Sequence, residues 1–282
     1  LDSSEKQLIK RIGGYHEHIE EVAMYRKKAL ITGGSSGIGA CFAKKAASIG
    51  YDVILIARNK RNLEKIADEI SLQYHVSVET IIADLTDETD VENLTDIVNH
   101  IDNLGLLVNN AGFAVPQNFA ESDIEKQLDM VRVHINAHLK LTRAALPMML
   151  KNKDGAIINV CSTLAFIPFK ENSIYCASKA FLNVFSEVLQ KELQGTGLQV
   201  QALNPGGTNT NFHQTDAFAG RSRSRKTEAY YMNPEAVVEY AFQKLGKQLI
   251  VIPGMHNRLM VVFKNITSRI FDQMVKSRSQ IS

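Results

Sequence analysis

Lys28-Ala29-Leu30-Ile31-Thr32-Gly33-Gly34-Ser35-Ser36-Gly37-Ile38-Gly39 is the stretch that decides the fold. A short β-prone run, Lys28–Thr32, passes straight into a glycine loop, and a helical pattern opens inside that loop at Gly37 and continues to Ile49. Glycine tolerates positive φ and lets backbone approach a ligand closely. The helix behind the loop aims unpaired N–H groups and its positive dipole end at that ligand. A pyrophosphate suits such a cradle, and strand, loop, helix and second strand in this order are the context a dinucleotide-binding unit needs. Gly33, Ser35, Ser36, Gly37, Ile38 and Gly39 are therefore the expected phosphate contacts. The gap between the first two required glycines is longer than in the common G-x-G-x-x-G form.

Working outward, β-rich runs at Tyr51–Ala57, Val76–Ala83, Leu104–Val108, Ala156–Cys161, Leu198–Leu203 and Leu249–Ile252 follow the first. Helical patterns at Lys60–Gln73, Glu88–Ile101, Ser122–Lys151, Ser173–Gln194 and Pro234–Leu245 separate them. Parallel neighbours need crossover connections, so this alternation predicts one doubly wound α/β domain: a parallel, Rossmann-type sheet of about seven strands with helices on both faces. Apolar runs such as Val53-Ile54-Leu55-Ile56 fit strands covered on both sides. The domain is expected over residues 28–255, with an N-terminal extension at 1–27 and a C-terminal helical segment at 256–282 packed on it. In that last segment Leu259, Phe263, Ile266, Ile270 and Met274 share one face.

Composition narrows the function. With 32 Lys and Arg against 30 Asp and Glu, the charge balance carries no nucleic-acid footprint. Three cysteines without metal-like spacing suggest neither a disulfide framework nor a zinc site. His134 and His138 have the spacing of a metal pair but no third ligand, and are read as packing; no metal is expected. Apolar runs are too short to span a bilayer, which together with the absence of a leader pattern gives a cytoplasmic expectation.

At the tip of the second strand stands Arg58, 19 residues after Gly39. An acidic residue there would hold a ribose 2′-hydroxyl, whereas arginine suits a 2′-phosphate, so NADP(H) is favoured over NAD(H). Tyr175 and Lys179 lie at i and i+4 on one helical face. A nearby ammonium is expected to lower the tyrosine pKa from its ordinary ~10. Ser162 follows the fifth strand, where ligand crevices of parallel sheets form, 13 residues before Tyr175.

On these motifs the chain resembles the short-chain dehydrogenase/reductase family, main NADP-preferring branch, across residues 28 to about 255. Asp84, Asn109-Asn110-Ala111-Gly112 and Asn204-Pro205-Gly206-Gly207-Thr208-Asn209-Thr210 add to the match in family order. The resemblance implies that Asp84 and Leu85 contact the adenine and that Asn110, Ala111 and Gly112 wall the cofactor. It implies that Pro205, Gly206, Thr208 and Thr210 hold the nicotinamide, with Thr210 on its carboxamide. Tyr175 would be the proton donor or acceptor, Ser162 would hydrogen-bond the substrate oxygen, and Lys179 would hold the ribose hydroxyls. Asn136 would be the fourth catalytic residue, anchoring a water that relays protons towards Lys179. The implied reaction is hydride transfer between NADP(H) and a small-molecule carbonyl or secondary alcohol, by a homo-oligomer (dimer or tetramer). Two rivals stand: a 3-oxoacyl reductase acting on carrier- or CoA-linked chains, and a non-catalytic NADP(H)-binding sensor or scaffold. Residues 211–233 would form the substrate lid, with aromatics and a basic run, Arg221–Lys226. Two positions depart from the family pattern: Cys161 replaces a frequent serine, and Ser35 stands where many NADP-dependent members place a basic residue.

Overall fold

The computed structural model describes residues 26–210, 212 and 231–264. The N-terminal extension apart from 26–27, most of the lid and the C-terminal segment after 264 lie outside the described residues. Seven strands form one sheet: β1 (Lys28–Thr32), β2 (Asp52–Ala57), β3 (Val78–Ile82), β4 (Leu104–Asn109), β5 (Gly155–Val160), β6 (Leu198–Leu203) and β7 (Ile250–Val251). Their order is β3-β2-β1-β4-β5-β6-β7 and every pairing is parallel. The connecting helices are α1 (Gly37–Ser48), α2 (Lys60–Tyr74), α3 (Glu88–Asn99), α4 (Ile124–Val131), α5 (His138–Asn152), α6 (Ser173–Glu192) and α7 (Pro234–Lys244).

Side-chain alternation along the strands divides the core in two. Ala29, Ile31, Val53 and Leu55 join α1, α2 and α7 on one face through Phe42, Leu63 and Val237. Leu30, Ile54 and Ile56 point to the other face, where Val91 of α3, Leu141 of α5 and Leu189 of α6 meet them. The chain leaves β1 on one side through β2 and β3 and returns to β1's other side as β4. That reversal opens a crevice at the carboxyl ends of β1 and β4, the usual ligand position in open parallel sheets.

Two features differ from the sequence expectation. The single helix expected over Ser122–Lys151 is two α-helices joined by a π-helical segment, Arg132–Ala137. Its wider turn changes which residues face inward: Val133, His134, Ala137 and His138 are buried and Asn136 is exposed. Near the C-terminus, residues 255–264 are helical. They pack on the body through Asn257 and Val261, while Leu259 and Phe263 turn outward, 61% and 69% exposed. Among the described residues, no helix is long and apolar enough to cross a membrane.

Candidate active site

The nucleotide end of the crevice is built mainly from backbone. Gly33 and Gly37 adopt positive φ, +67° and +55°, which only glycine accepts without strain. A Cβ on Gly39 would lie 2.2 Å from the Gly33 carbonyl oxygen, so α1 can approach the loop only with glycine there. The Thr32 hydroxyl accepts from the backbone N–H groups of Asn110 (2.9 Å) and Ala111 (3.0 Å). The Asn110 amide donates to the Thr32 carbonyl at 2.8 Å. These bonds stitch the glycine loop to the end of β4. The first turn of α1 holds no acidic residue, and Ser36 makes no side-chain cap, so the helix N-terminus presents uncapped positive character to an anion. A Cβ on Gly37 would touch the Thr210 side chain at 3.1 Å, which brings the loop after β6 against the phosphate loop. The cradle therefore fits a dinucleotide pyrophosphate.

At the outer edge Arg58 and Asp84 form an ion pair of 3.5 Å, with side chains 67% and 39% exposed. Partial burial raises the Asp84 pKa, but bonds from the Thr86 N–H and hydroxyl and the Arg58 charge outweigh it and hold the carboxyl below its ordinary value. An exposed pair of this kind contributes at most ~1 kcal/mol, so the guanidinium can exchange partners at little cost. Leu85, beside Asp84, buries its side chain in the apolar core with Val91 and Leu94. An apolar side chain next to a buried helix gains more there than at an exposed rim.

The other end is built from buried side chains. Ser162 follows β5, and its hydroxyl accepts from the Leu164 N–H at 3.2 Å. Tyr175 and Lys179 lie on the first turns of α6; the Lys179 ammonium donates to the Val160 carbonyl at 2.8 Å and stands 5.7 Å from the Tyr175 ring centre. The Thr163 N–H donates to the Pro205 carbonyl at 3.0 Å, tying the Ser162 turn to the loop that carries Thr208 and Thr210. Around Tyr175 lie Ala114, Met130, Val115, Leu164 and Phe212, the last edge-on at 6.2 Å. This wall is apolar.

Burial governs the charges here. It pushes the Tyr175 phenol up to about 12, against a hydrogen bond with Ser162 that favours the phenolate. It pushes the Lys179 ammonium down to about 8. The expectation that Lys179 lowers the tyrosine pKa does not hold, because the ammonium faces the Val160 carbonyl and desolvation dominates the phenol. Burial likewise pushes the Cys161 thiol up to about 12, so it stays protonated.

The family model "short chain dehydrogenase" matches residues 27–218. The chain belongs to this family. An oxidoreductase of Staphylococcus epidermidis is 32% identical over 198 residues, covering 70% of this chain and 84% of that protein. 17-beta-hydroxysteroid dehydrogenase type 3 of Danio rerio is 36% identical over 189 residues, 65% of this chain and 61% of that protein. Very-long-chain 3-oxoacyl-CoA reductase of Anas platyrhynchos is 36% identical over 181 residues, 63% of this chain and 58% of that protein. The chain thus spans about three fifths of these two longer relatives. Among solved structures, a short-chain dehydrogenase from Sphingobium yanoikuyae in complex with NADPH has a TM-score of 0.75 and 30% identity, covering 90% of this chain and 94% of that one.

In this short-chain dehydrogenase Ser162, Tyr175 and Lys179 come together. Asn136 is exposed on the π-helical segment, whereas His134, two residues earlier, is fully buried beside Tyr175, ring centres 5.7 Å apart. A π turn shifts the residues after it out of the 3.6-residue register, and sequence period alone does not reveal it. Thr32, Asn109 and Ser178 have hydrogen-bonding roles that the sequence motifs did not assign. Asn109 donates to Thr142 (3.0 Å) and Asn159 (2.9 Å), a buried network that fixes β4 to β5 and α5. The signal available for all of them was a polar residue inside an otherwise apolar run.

Proposed function

We propose that this protein transfers hydride between NADP(H) and a carbonyl or secondary alcohol on an apolar substrate, with Tyr175 exchanging the proton. Bound NADP(H) supplies the hydride in reduction and accepts it in oxidation. Gly33, Ser35, Ser36, Gly37, Ile38 and Gly39 would hold its pyrophosphate, Arg58 its 2′-phosphate, and Asp84 its adenine side. Asn110, Ala111 and Gly112 would line its wall, Pro205, Gly206, Thr208 and Thr210 its nicotinamide end, and Lys179 its ribose hydroxyls. NADP(H) over NAD(H) is supported by Arg58 at the tip of β2 and by the NADPH held in the Sphingobium yanoikuyae relative.

A phenol held at about 12 is a protonated donor throughout the neutral range. Tyr175 gives that proton to the substrate oxygen as the oxygen gains charge, and Ser162 donates a hydrogen bond to the same oxygen. The Lys179 ammonium, below its pKa of about 8, offsets the negative charge left on Tyr175. The observation that carries this reading is the burial of Ser162, Tyr175 and Lys179 in one group beside the loop of Pro205–Thr210. The test is NADPH consumption with a panel of apolar ketones. Turnover supports the reading; consumption that no carbonyl accelerates leaves the sensor or scaffold reading in its place.

A 3-oxoacyl-CoA substrate is the second reading. It is favoured by the apolar wall around Tyr175 and by the acyl-CoA reductase among the relatives. Comparing a free ketone with its thioester-linked counterpart separates the two. We further propose a homo-oligomer joined through the outer face of α6, where Phe181, Val184 and Val188 lie 39%, 62% and 46% exposed at helical spacing. Three unpaired cysteines favour a reducing compartment, the cytoplasm.

A further inference from the structure

We infer that His134 is a positioning residue for Tyr175: a neutral imidazole, protonated on Nδ1, that locks the first turn of α6 to the loop after β4. The inference rests on Tyr175 being the proton donor proposed above. The direction of each hydrogen bond fixes the tautomer. The Phe113 backbone N–H donates to His134 Nε2 at 3.1 Å, so Nε2 carries a lone pair and no proton. Nδ1 must then hold the ring proton, and it lies 2.9 Å from the Ser178 hydroxyl oxygen. That hydroxyl in turn donates a hydrogen bond to the Tyr175 carbonyl at 2.9 Å. One unbranched chain runs from Phe113 through His134 and Ser178 to the residue that bears the phenol.

Packing holds the ring in place along the same line. His134 is fully buried and meets Tyr175 edge-on, its ring plane inclined by 77°. Its opposite side meets Phe113, ring centres 6.1 Å apart. A Cβ on Gly112 would sit 2.7 Å from Nε2 and 3.5 Å from the Lys179 nitrogen, so the glycine is what lets imidazole and ammonium approach the same backbone. Burial, with the Lys179 charge and His138 behind it, holds the imidazole well below 6.5 and keeps it neutral.

Both ring nitrogens are already engaged. His134 therefore has no free donor or acceptor with which to hold a relay water, and its role differs from the one expected of Asn136. It acts through geometry, by fixing where the phenol stands. Displacement of a reacting group by ~1 Å can cost on the order of 100-fold in rate.

The test compares His134→Phe, His134→Asn and Ser178→Ala with the wild-type protein for NADPH binding, KM and kcat of carbonyl reduction. His134→Phe keeps the ring and removes both bonds; kcat is expected to fall about 30- to 100-fold with NADPH affinity and KM within about threefold. His134→Asn, whose amide can still donate to Ser178, is expected to recover most of that loss. Ser178→Ala removes the middle link, leaves the ring packing intact and is expected to lower kcat about tenfold; combined with His134→Phe it should add little, because both break one chain. A His134→Phe kcat within twofold of wild type, no recovery in His134→Asn, or fully additive losses would overturn the inference. Should His134→Phe not fold, Ser178→Ala decides on the same KM and kcat criteria. Nitrogen-15 NMR of the wild-type histidines reads the tautomer without turnover: a neutral ring protonated on Nδ1 supports the chain, and an Nε2–H or charged ring contradicts it. An inert wild type would thus sink the function reading while the tautomer still decides this one.

Discussion

The two ends of the crevice solve opposite problems. The nucleotide end is open and made of backbone, with Gly33, Gly37 and Gly39 clearing space and the charged groups, Arg58 and Asp84, left at an exposed rim. The end proposed for catalysis is closed and made of side chains, with Tyr175, Lys179 and His134 at most 9% exposed, Lys179 bonded to the Val160 carbonyl and His134 to the Ser178 hydroxyl. A large, highly charged ligand needs approach and screened, exchangeable partners. A proton transfer needs a fixed geometry and little water. Substitutions should therefore separate binding from turnover according to which end they touch.

The largest separation is expected at the catalytic end. Tyr175→Phe should lower kcat about 10²- to 10⁴-fold and leave NADPH affinity within a few-fold, as read by steady-state kinetics and cofactor titration. Gly39→Ala should do the reverse. Its Cβ falls 2.2 Å from a backbone oxygen that cannot move aside alone, so NADPH affinity should weaken about 100-fold while any remaining turnover keeps its response to substrate. An unaltered affinity would mean that the cradle is not the cofactor site. Arg58→Asp should weaken NADPH binding by tens of fold and narrow or invert the preference over NADH, since it removes the cation and sets a second carboxylate beside Asp84. An unchanged NADPH-to-NADH ratio would assign 2′-phosphate recognition elsewhere.

The ends meet at Lys179, and pH probes that junction. Its ammonium is pushed down to about 8 by burial, so it is charged below that pH and neutral above it. The kcat/KM for NADPH, which reports the free enzyme, should be level below pH 8 and fall about tenfold per unit above it. A profile level to pH 10 would show that the charge is not needed. The smallest effect is expected outside the crevice. Phe181→Asp on the outer face of α6 should lower the oligomeric state in sedimentation and change kcat less than about twofold.

The same contrast explains what could be read from the chain alone. The nucleotide end is local: Thr32 to Gly39 is one strand end, one loop and one helix start, and each glycine announces its own conformation. The sheet was legible for a similar reason, since apolar runs covered on both faces alternate visibly with helical periods. Tyr175 and Lys179 could be paired because one helical turn separates them. Their partner His134 could not, because it lies on an element whose register departs from 3.6 residues per turn. Asn136 looked equivalent in a continuous helix and is exposed on the π segment. Leu85 differs from its neighbour Asp84 at the rim: the core draws its apolar side chain inward.

The most direct test is a crystal structure of the protein with NADPH bound. The account requires the pyrophosphate on the loop of Gly33–Gly39 and the nicotinamide between Thr210 and the group of Ser162, Tyr175 and Lys179. It also requires the Tyr175 hydroxyl on the open side, where a carbonyl oxygen can reach it. A cofactor lying elsewhere, or a nicotinamide end out of reach of Tyr175, would contradict it.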